Sequence, residues 1–154
     1  MHNKEKIFFQ IVSSYKDKNI NLPKRQTMFS AGYDFESACE VMINPEEIFL
    51  LPTGVKAFFP NDKVLLIYAR SSLSIKKRLI LANNVGVIDS DYYNNEKNEG
   101  HIFIPLYNFS KQKVLIKKNE KIAQGIFQNI YFTEDEFSIK NKKPIRKGGF
   151  GSTN

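Results

Sequence analysis

The chain has 154 residues and a formal net charge of +7 at pH 7, from 23 lysines and arginines against 16 acidic residues. A hydrophobic fraction of 42%, with 13 Phe and 7 Tyr, excludes a disordered chain and allows one domain with its own core. The single cysteine, Cys39, excludes an intrachain disulfide and a zinc site built from several cysteines, and His2 and His101 are too few for a histidine cluster.

The N-terminal segment MHNKEKIFFQIV has an apolar stretch that is too short and too interrupted for a signal peptide. No other apolar run approaches the roughly 20 residues that cross a bilayer. We therefore expect an intracellular, cytoplasmic protein without a membrane partner. The positive charge favours an anionic partner, but the lysines are scattered and no nucleic-acid-binding module is recognisable, so nucleic acid is not the predicted partner.

Short β-type runs separated by turn signals follow one another along the chain. They are KIFFQIV, EIFLL, VKAFF, KVLLIYA, HIFIPLYNFS, KVLIK and EKIAQGIFQNIYF. Only SSLSIKKRLILANN leaves room for a helix, of a few turns at most, and βαβ alternation is missing. The pattern predicts an all-β fold, an antiparallel sandwich or barrel.

Two segments are predicted to be loops. Residues 91–100, DYYNNEKNEG, are polar and rich in turn residues, as in a hairpin loop. From about Thr133 the chain becomes charged, with too few apolar side chains to hold it in place. We therefore expect one domain over residues 1–154, with residues 133–154 as a mobile C-terminal arm that a ligand or another subunit orders.

The stretch ARSSLS follows the apolar run KVLLIY and contains three candidate phosphate ligands. Arg70 offers a planar set of donors that suits phosphate oxygens, and Ser71 and Ser72 add hydroxyl donors at a strand end. The alternative interpretation is a surface arginine beside a serine turn.

The stretch NNVGVIDSDYY places two acids two residues apart, Asp89 and Asp91, so that in an extended conformation both carboxylates face one side. Gly86 indicates a tight backbone excursion against which a flat ligand can lie. Paired acids near phosphate-binding cations suit metal-assisted phosphate hydrolysis, in which one acid orients and deprotonates water while Mg²⁺ bridges the phosphates. A turn capped by its own side chains is the alternative.

Two further stretches carry one candidate each. AGYDFESA has an acid, Asp34, after the flexible Gly32. EKIAQGIFQNI has one amide, Gln124, inside a strand-like run. An isolated glutamine in a strand usually lies on the solvent face, so this second pattern is weak by itself.

The C-terminal stretch RKGGFGST lacks the lysine of a P-loop, and its spacing differs from the dinucleotide-binding fingerprint. Its composition suits a flexible clamp instead. Arg146 can reach terminal phosphate charge, Phe150 can stack on a base, and the Gly-Ser-Thr group can surround oxygens.

Taken in order, these stretches resemble the five motifs of the trimeric dUTPase family. AGYDF resembles the first motif, ARSSL the second, NVGVIDSDYY the third, EKIAQ the fourth and RKGGFGST the fifth. They extend from Ala31 to Thr153, nearly the whole chain. Five motifs in the right order with compatible spacing are a strong signal, although each is modest alone.

The resemblance implies an antiparallel, jelly-roll-like β fold and a homotrimer with active sites where subunits meet. It implies that the C-terminal arm crosses to close a neighbour's pocket. It further implies attack of water on the α-phosphorus of dUTP, giving dUMP and pyrophosphate, with Mg²⁺ bound to the phosphate chain and no direct protein ligand to the metal.

The resemblance also assigns roles to residues. Asp89 would activate the water, and Asp34 would hold water molecules around the metal. The positions that would bind phosphates are Arg70, Ser71, Ser72, Gln124, Arg146, Gly151, Ser152 and Thr153. The positions that would bind the nucleoside are Asn83, Val87, Ile88 and Phe103 at the uracil, Tyr92 at the deoxyribose and Phe150 over the base.

The chain departs from the family pattern at a few points. Seven residues, YNNEKNE, separate Tyr92 from Gly100, where the family has a much shorter connection, so the uracil-reading hairpin should carry a longer tip. Arg78 stands where glycine is common, which predicts an altered turn after the second motif. Lys121 replaces an arginine, and Asn154 stands where a glycine is expected.

Two alternative functions stay open from the sequence. A regulatory binding protein of the same fold would use the long 92–100 tip as a contact surface for a protein partner. A dCTP deaminase-type enzyme shares the fold and the trimer, but lacks the Gly-Phe-Gly arm that is present here.

Overall fold

The computed structural model describes residues 5–137, 143–144 and 146–153, and these residues form eleven β-strands and one α-helix. The strands are β1 (Phe8–Ile11), β2 (Tyr33–Glu36), β3 (Val41–Ile43), β4 (Ile48–Pro52), β5 (Val55–Phe58), β6 (Lys63–Ala69), β7 (Leu79–Leu81), β8 (Gly86–Ile88), β9 (Phe103–Asn108), β10 (Val114–Ile116) and β11 (Lys121–Asn129). The helix is α1 (Ser71–Lys77), and short 3₁₀ turns cover Ser13–Tyr15, Ser90–Tyr92 and Glu134–Phe137. The predicted arm falls partly on residues 138–142, 145 and 154, which lie outside the described residues.

Every strand pair in the described residues is antiparallel. The strands form a four-stranded sheet in the order β2-β11-β6-β8, a three-stranded sheet β4-β9-β7, and the pairs β1-β5 and β10-β3. The predicted antiparallel β architecture is confirmed. The strands form here because buried and more exposed side chains alternate along the sequence. In β9, every second side chain from Ile104 to Asn108 is buried, as expected for a strand with one face on a core.

The core lies between the sheets and consists mainly of aliphatic side chains with a few Phe rings. Phe35 of β2, Leu65 of β6 and Leu106 of β9 are all 0% exposed. Each such side chain contributes on the order of 1.5–3 kcal/mol when it leaves water. The packed core therefore fixes the strand ends from which the candidate site residues project.

Helix α1 ends at Lys77 and is capped by Arg78, which has φ 56° and ψ 36° and donates its backbone N–H to the Ser74 carbonyl at 3.1 Å. This left-handed conformation is the one that glycine adopts most readily at a helix C-terminus. The arginine thus keeps the turn geometry, and β7 follows directly. No helix in the described part of the chain has the length and apolar composition needed to cross a bilayer.

The connection between β8 and β9 differs from the predicted hairpin loop. β8 pairs with β6, whereas β9 pairs with β4 and β7, so the connection passes between two sheets. The polar composition of residues 91–100 indicated turns correctly but did not identify the strands that they connect. Instead of a hairpin tip, these residues form a 3₁₀ turn and a packed loop.

Candidate active site

A pocket of about 260 Å³ lies beside β8, and we call it the β8 pocket. Its walls come from the end of β7, from β8, from the start of β9 and from the C-terminal segment. Nine of the sequence-predicted site residues line it: Asn83, Val87, Ile88, Asp89, Tyr92, Phe103, Arg146, Phe150 and Gly151. The third and fifth motifs therefore meet in the folded chain.

Gly86 sets how closely β8 approaches the sheet. It pairs with Ile67 of β6, and a Cβ atom at position 86 would lie 3.1 Å from the Ile67 Cβ. Glycine therefore lets β8 lie tightly against β6 and keeps the pocket floor open. Val87, the next residue, is 62% exposed and lines the pocket.

Tyr92 forms a rigid wall of the β8 pocket. Its ring is 6% exposed, and its Oη donates a hydrogen bond to the His101 carbonyl at 2.5 Å. The same Oη accepts a hydrogen bond from Asn98 Nδ2 at 2.9 Å. Burial raises the pKa of the Tyr92 phenol, although the Asn98 hydrogen bond and the Arg146 charge oppose the rise. The phenol therefore stays a neutral donor with a fixed ring orientation.

The two acids of the third motif converge on one cation. Arg146 Nη2 contacts Asp89 Oδ2, Arg146 Nε lies 3.3 Å from Asp91 Oδ1, and the Arg146 backbone N–H donates to Asp91 Oδ2 at 3.1 Å. Strand β8 ends at Ile88 and Asp89 keeps an extended backbone, but the 3₁₀ turn that begins at Ser90 replaces the extended conformation considered for the whole stretch between the two acids. The turn still leaves both carboxylates within reach of the same guanidinium.

The C-terminal segment lies over the pocket through its glycines and Phe150. A Cβ atom at Gly149 would lie 2.8 Å from Tyr92 Cε2, so glycine allows the backbone to contact the ring. Phe150 is 64% exposed, and its ring meets Phe103 edge-on with 6.3 Å between centroids. Ser152 and Thr153, predicted to bind phosphates, do not line the pocket, and Ser152 Oγ is buried without a hydrogen-bond partner in the described residues.

A second concavity, the β11 hollow, collects residues of the first, second and fourth motifs. It is lined by Gln26, Ser30, Ala31, Gly32, Asp34, Arg70, Ser71 and Gln124. Gln124 pairs with Asp34 across the sheet, and its Nε2 donates to the Ala69 carbonyl at 3.4 Å. Gln124, whose sequence pattern was weak, therefore lines this hollow beside Asp34.

Asp34 and Arg70 form an ion pair in the β11 hollow, with 3.4 Å between Asp34 Oδ1 and Arg70 Nε. The other carboxylate oxygen, Asp34 Oδ2, is buried and lacks a hydrogen-bond partner among the described residues. A buried acceptor of this kind suits a water molecule or a cation-bound ligand. Ser72 departs from its expected place, because it lines a neighbouring hollow with Lys76 and Lys77 rather than the β11 hollow.

The β8 pocket and the β11 hollow have no lining residue in common among the described residues. Asp34 lies on β2, one edge of the four-stranded sheet, and Asp89 follows β8, the other edge. Two strands separate these edges, so at about 4.8 Å per strand the backbones of β2 and β8 lie about 14 Å apart. The two carboxylates therefore project from opposite edges of the sheet.

His101 stands directly behind the β8 pocket, and sequence reasoning assigned it no function. Its Nε2 accepts a hydrogen bond from the Gly54 backbone N–H at 2.8 Å, and its ring packs 4.1 Å from Phe103. Burial lowers the pKa of His101 to about 4, against an opposing effect of the Glu99 charge. A neutral imidazole therefore supports Phe103, and only the position of His101 before β9 pointed toward it.

Comparison with known proteins reveals extensive similarity. A protein-family model described as dUTPase matches residues 18–154. A deoxyuridine 5'-triphosphate nucleotidohydrolase of Lactococcus lactis subsp. lactis is 48% identical over 145 residues, 94% of this chain and 95% of the relative. One from Finegoldia magna is 38% identical over 88% of this chain and 92% of the relative. The crystal structure of dUTPase from Streptococcus mutans has a TM-score of 0.79 and 44% identity, over 82% of this chain and 98% of that one.

Proposed function

The chain belongs to the dUTPase family and is a dUTP nucleotidohydrolase, and we propose that Asp89 activates the water that attacks the α-phosphorus of dUTP. The observation that carries this assignment is the β8 pocket. There a carboxylate, an amide and two aromatic rings line one space: Asp89, Asn83, Tyr92 and Phe103. A flat base, a sugar and a reacting phosphate need these three kinds of group side by side.

The nucleoside is proposed to occupy the inner part of the β8 pocket. Asn83 and the backbone of Val87 and Ile88 would read the uracil edge, because amide donors and acceptors match uracil and leave the exchanged groups of cytosine unpaired. Tyr92 would pack against the deoxyribose and exclude a ribose 2′-hydroxyl. Phe103 and Phe150 would cover the base.

The phosphates are proposed to reach the β11 hollow of a second copy of the chain. Arg70, Ser71 and Gln124 supply the donors that phosphate oxygens require, and we keep Ser72 as a neighbouring contributor. The separation between Asp34 and Asp89 supports this arrangement, because the two sets of residues line separate concavities of the described chain. A homotrimer with sites at the subunit interfaces would bring the two sets of residues together.

The C-terminal arm, residues 133–154, is proposed to close the site within a domain that spans residues 1–154. In the described chain, residues 146–151 lie over the pocket of their own chain, and we propose that the same contacts form between neighbours in the trimer. Arg146, Gly151, Ser152 and Thr153 would then bind the distal phosphates. A cytoplasmic location is proposed as well.

Mg²⁺ is the proposed cofactor, and the β11 hollow fits it in one respect. The buried and unpartnered Asp34 Oδ2 can accept a hydrogen bond from a metal-bound water. The described residues hold no group of three His, Cys, Asp or Glu side chains that would form a protein cage for the metal. Phosphate oxygens would thus be the main ligands, and the cation would neutralise phosphate charge.

In the chemical step, Asp89 would accept a proton from a water molecule as the water oxygen bonds to the α-phosphorus. The bond between that phosphorus and the bridging oxygen to the β-phosphate breaks, and pyrophosphate leaves with the bonding electron pair. Arg146 would move from Asp89 to the phosphates, which leaves the carboxylate free to act as a base. The remaining residues orient the reactants and balance charge, which is most of phosphoryl-transfer catalysis.

The direct test is pyrophosphate release from dUTP, dCTP, dTTP and UTP in parallel, with and without Mg²⁺. We expect Mg²⁺-dependent release from dUTP and very little from the other three. Equal release from UTP would contradict the sugar assignment, and equal release from dCTP would contradict the uracil assignment. Release from none would contradict hydrolysis and favour a regulatory binding protein with the same fold.

A further inference from the structure

The seven residues that separate Tyr92 from Gly100 form a folded unit, which we call the insert (residues 93–99). Asn95 lies at its centre and is 7% exposed. Its Nδ2 donates to the Tyr92 carbonyl at 2.8 Å, and its Oδ1 accepts the backbone N–H of Lys97 and of Asn98, both at 3.1 Å. The polar composition that predicted a solvated loop tip instead supplies internal hydrogen bonds.

The insert is also attached to the N-terminal part of the fold. Glu99 accepts the backbone N–H of Ser13 at 2.8 Å and lies 3.1 Å from the Lys56 ammonium group. The same ammonium group donates to Asn94 Oδ1 at 2.6 Å. These bonds anchor both ends of the insert to β5 and to the turn after β1, so the position of the insert relative to the β8 pocket is fixed.

Asn98 connects this anchored unit to the pocket wall. Its Oδ1 accepts hydrogen bonds from Asn95 Nδ2 at 2.6 Å and from the Gly100 backbone N–H at 3.1 Å. Both partners are donors only, so the oxygen must face them and the Nδ2 must face the other way. That Nδ2 donates to Tyr92 Oη at 2.9 Å.

We propose that Asn98 is a positioning residue for sugar selectivity, acting through Tyr92 to hold the ring where it excludes a 2′-hydroxyl. The proposal rests on the proposed function, in which Tyr92 packs on the deoxyribose. Among the described residues, Tyr92 Oη has two hydrogen-bond partners, the His101 carbonyl and the Asn98 amide. Together they restrict movement of the ring within its plane and along its long axis. Steric exclusion of the 2′-hydroxyl requires a rigid Tyr92 ring, because a ring that moves aside admits the extra oxygen atom.

The insert supplies this support. A direct connection between Tyr92 and Gly100 would not contain Asn98, so the donor to Tyr92 Oη belongs to the seven intervening residues. Gly100 adopts φ 86°, and a Cβ atom there would lie 2.8 Å from the Tyr92 carbonyl, so the two ends of the insert meet tightly. The Asn98 amide adds a side-chain constraint on Tyr92 to this tight backbone closure.

The test is the ratio of kcat/KM for dUTP to kcat/KM for UTP in Asn98→Asp. This change keeps the Oδ1 acceptor for Asn95 and Gly100 and replaces the donor to Tyr92 with a second acceptor. The phenol can bond to that acceptor only by turning its single proton away from the His101 carbonyl, so one of the two hydrogen bonds of Oη is lost in either case. We expect the ratio to fall about tenfold, the effect of one hydrogen bond, mainly because UTP becomes a better substrate. Glu96→Gln, an exposed charge removal in the same insert, is the matched control and should leave the ratio unchanged.

A double-mutant cycle with Tyr92→Phe shows whether Asn98 acts through the phenol. Tyr92→Phe keeps the ring and removes Oη, so it should lower the ratio similarly, and Asn98→Asp should add little in that background. This second variant also tests the proposal if Asn98→Asp fails to fold. An unchanged ratio in Tyr92→Phe, or an equal further fall when Asn98→Asp is added, would overturn the proposal. Failure of the unmodified protein to hydrolyse dUTP would instead overturn the proposed function.

Discussion

At the scale of single residues, Asp89 has a neighbour of opposite charge and another of like charge. Arg146 contacts it, and Arg146 also contacts Asp91. Because phosphate oxygens are strong partners for a guanidinium group, a bound phosphate chain competes with both carboxylates for Arg146. Asp89 and Asp91 thus have similar contacts but different proposed roles. Substituting each acid separately can distinguish these roles.

Asp89→Asn should abolish measurable pyrophosphate release, a loss of at least about a hundredfold, because the amide cannot accept the proton of the attacking water. Binding of dUTP should persist, since the amide has nearly the same shape and removes a negative charge. Calorimetric titration with dUTP and a pyrophosphate assay measure the two properties. Asp91→Asn is the matched control and should change turnover by only a few-fold, whereas robust turnover in Asp89→Asn contradicts the assignment.

His101 should make the protein less stable in mild acid. Its pKa is about 4 in the folded chain, below its ordinary value of 6.5, so between these values the unfolded state binds more protons. The free energy of unfolding should therefore fall as the pH is lowered from 6.5 to about 4, by up to about 2 kcal/mol at pH 5.

Urea unfolding at several pH values and one protein concentration measures this dependence. Glu99, the nearby acid, has its pKa lowered to about 2 by hydrogen bonds from Ser13, with Lys56 contributing, so its own contribution is lost only between pH 4.5 and 2. His101→Gln keeps an acceptor for Gly54 and should flatten the dependence between pH 6.5 and 5. An equally steep dependence in that variant would assign it to other groups.

At the scale of elements, strand β11 lies at the centre of the four-stranded sheet and contributes to both the core and the β11 hollow. Gln124 pairs with Asp34 on one side and Tyr68 on the other. The next residue, Gly125, is on the core side, where a Cβ atom would lie 2.7 Å from Phe35 Cε2. Gln124 therefore places a polar group in the β11 hollow, and Gly125 leaves space in the core for the Phe35 ring.

Gly125→Ala should overpack the core beneath β11. The added methyl group would also lie 3.0 Å from Leu65 Cδ1, so we expect a loss of about 1–3 kcal/mol in the free energy of unfolding. Thermal unfolding followed by circular dichroism measures the change. Gln128→Ala, at an exposed position of the same strand, should change stability by less than about 0.5 kcal/mol. Equal stability of the two variants would contradict the packing argument.

At the scale of the whole molecule, the two sets of site residues line separate concavities, with Asp34 and Asp89 at opposite edges of one sheet. In the homotrimer that we propose, other copies of the chain would bring the two sets together. Closed symmetry would complete every site at once, because each copy would give one set to one neighbour and the other set to another.

Mixing two inactive variants should restore activity if each site is shared. Arg70→Ala removes a residue of the β11 hollow, and Asp89→Asn removes the proposed base from the β8 pocket. When the two chains are co-expressed in equal amounts, about a quarter of the sites receive both intact sets by random assembly of the symmetric oligomer. Pyrophosphate release near that fraction supports shared sites. Activity no greater than the sum of the two single variants places each site in one chain.

The sequence predicted the antiparallel strands and the membership of the family because these depend on local alternation and on short motifs. It did not predict the fold of residues 93–99, because their contacts are distant in sequence: Glu99 binds Ser13, 86 residues away. His101 was missed for the same reason, since its burial depends on Gly54 and Phe103 together. Gln124 appeared weak because a single polar residue in a strand does not reveal what lies beside it.

The pairing of Arg146 with Asp89 makes the C-terminal segment a tethered ligand, whether it comes from the same chain or from a neighbour. A tethered group competes at an effective concentration on the order of millimolar. A free nucleotide therefore displaces Arg146 from the carboxylates only if its phosphates bind the guanidinium group more strongly. On the proposed site, phosphate chain length would act as a filter in this competition: a triphosphate would displace the tether, and a monophosphate product, with less charge to offer, would lose the competition and leave.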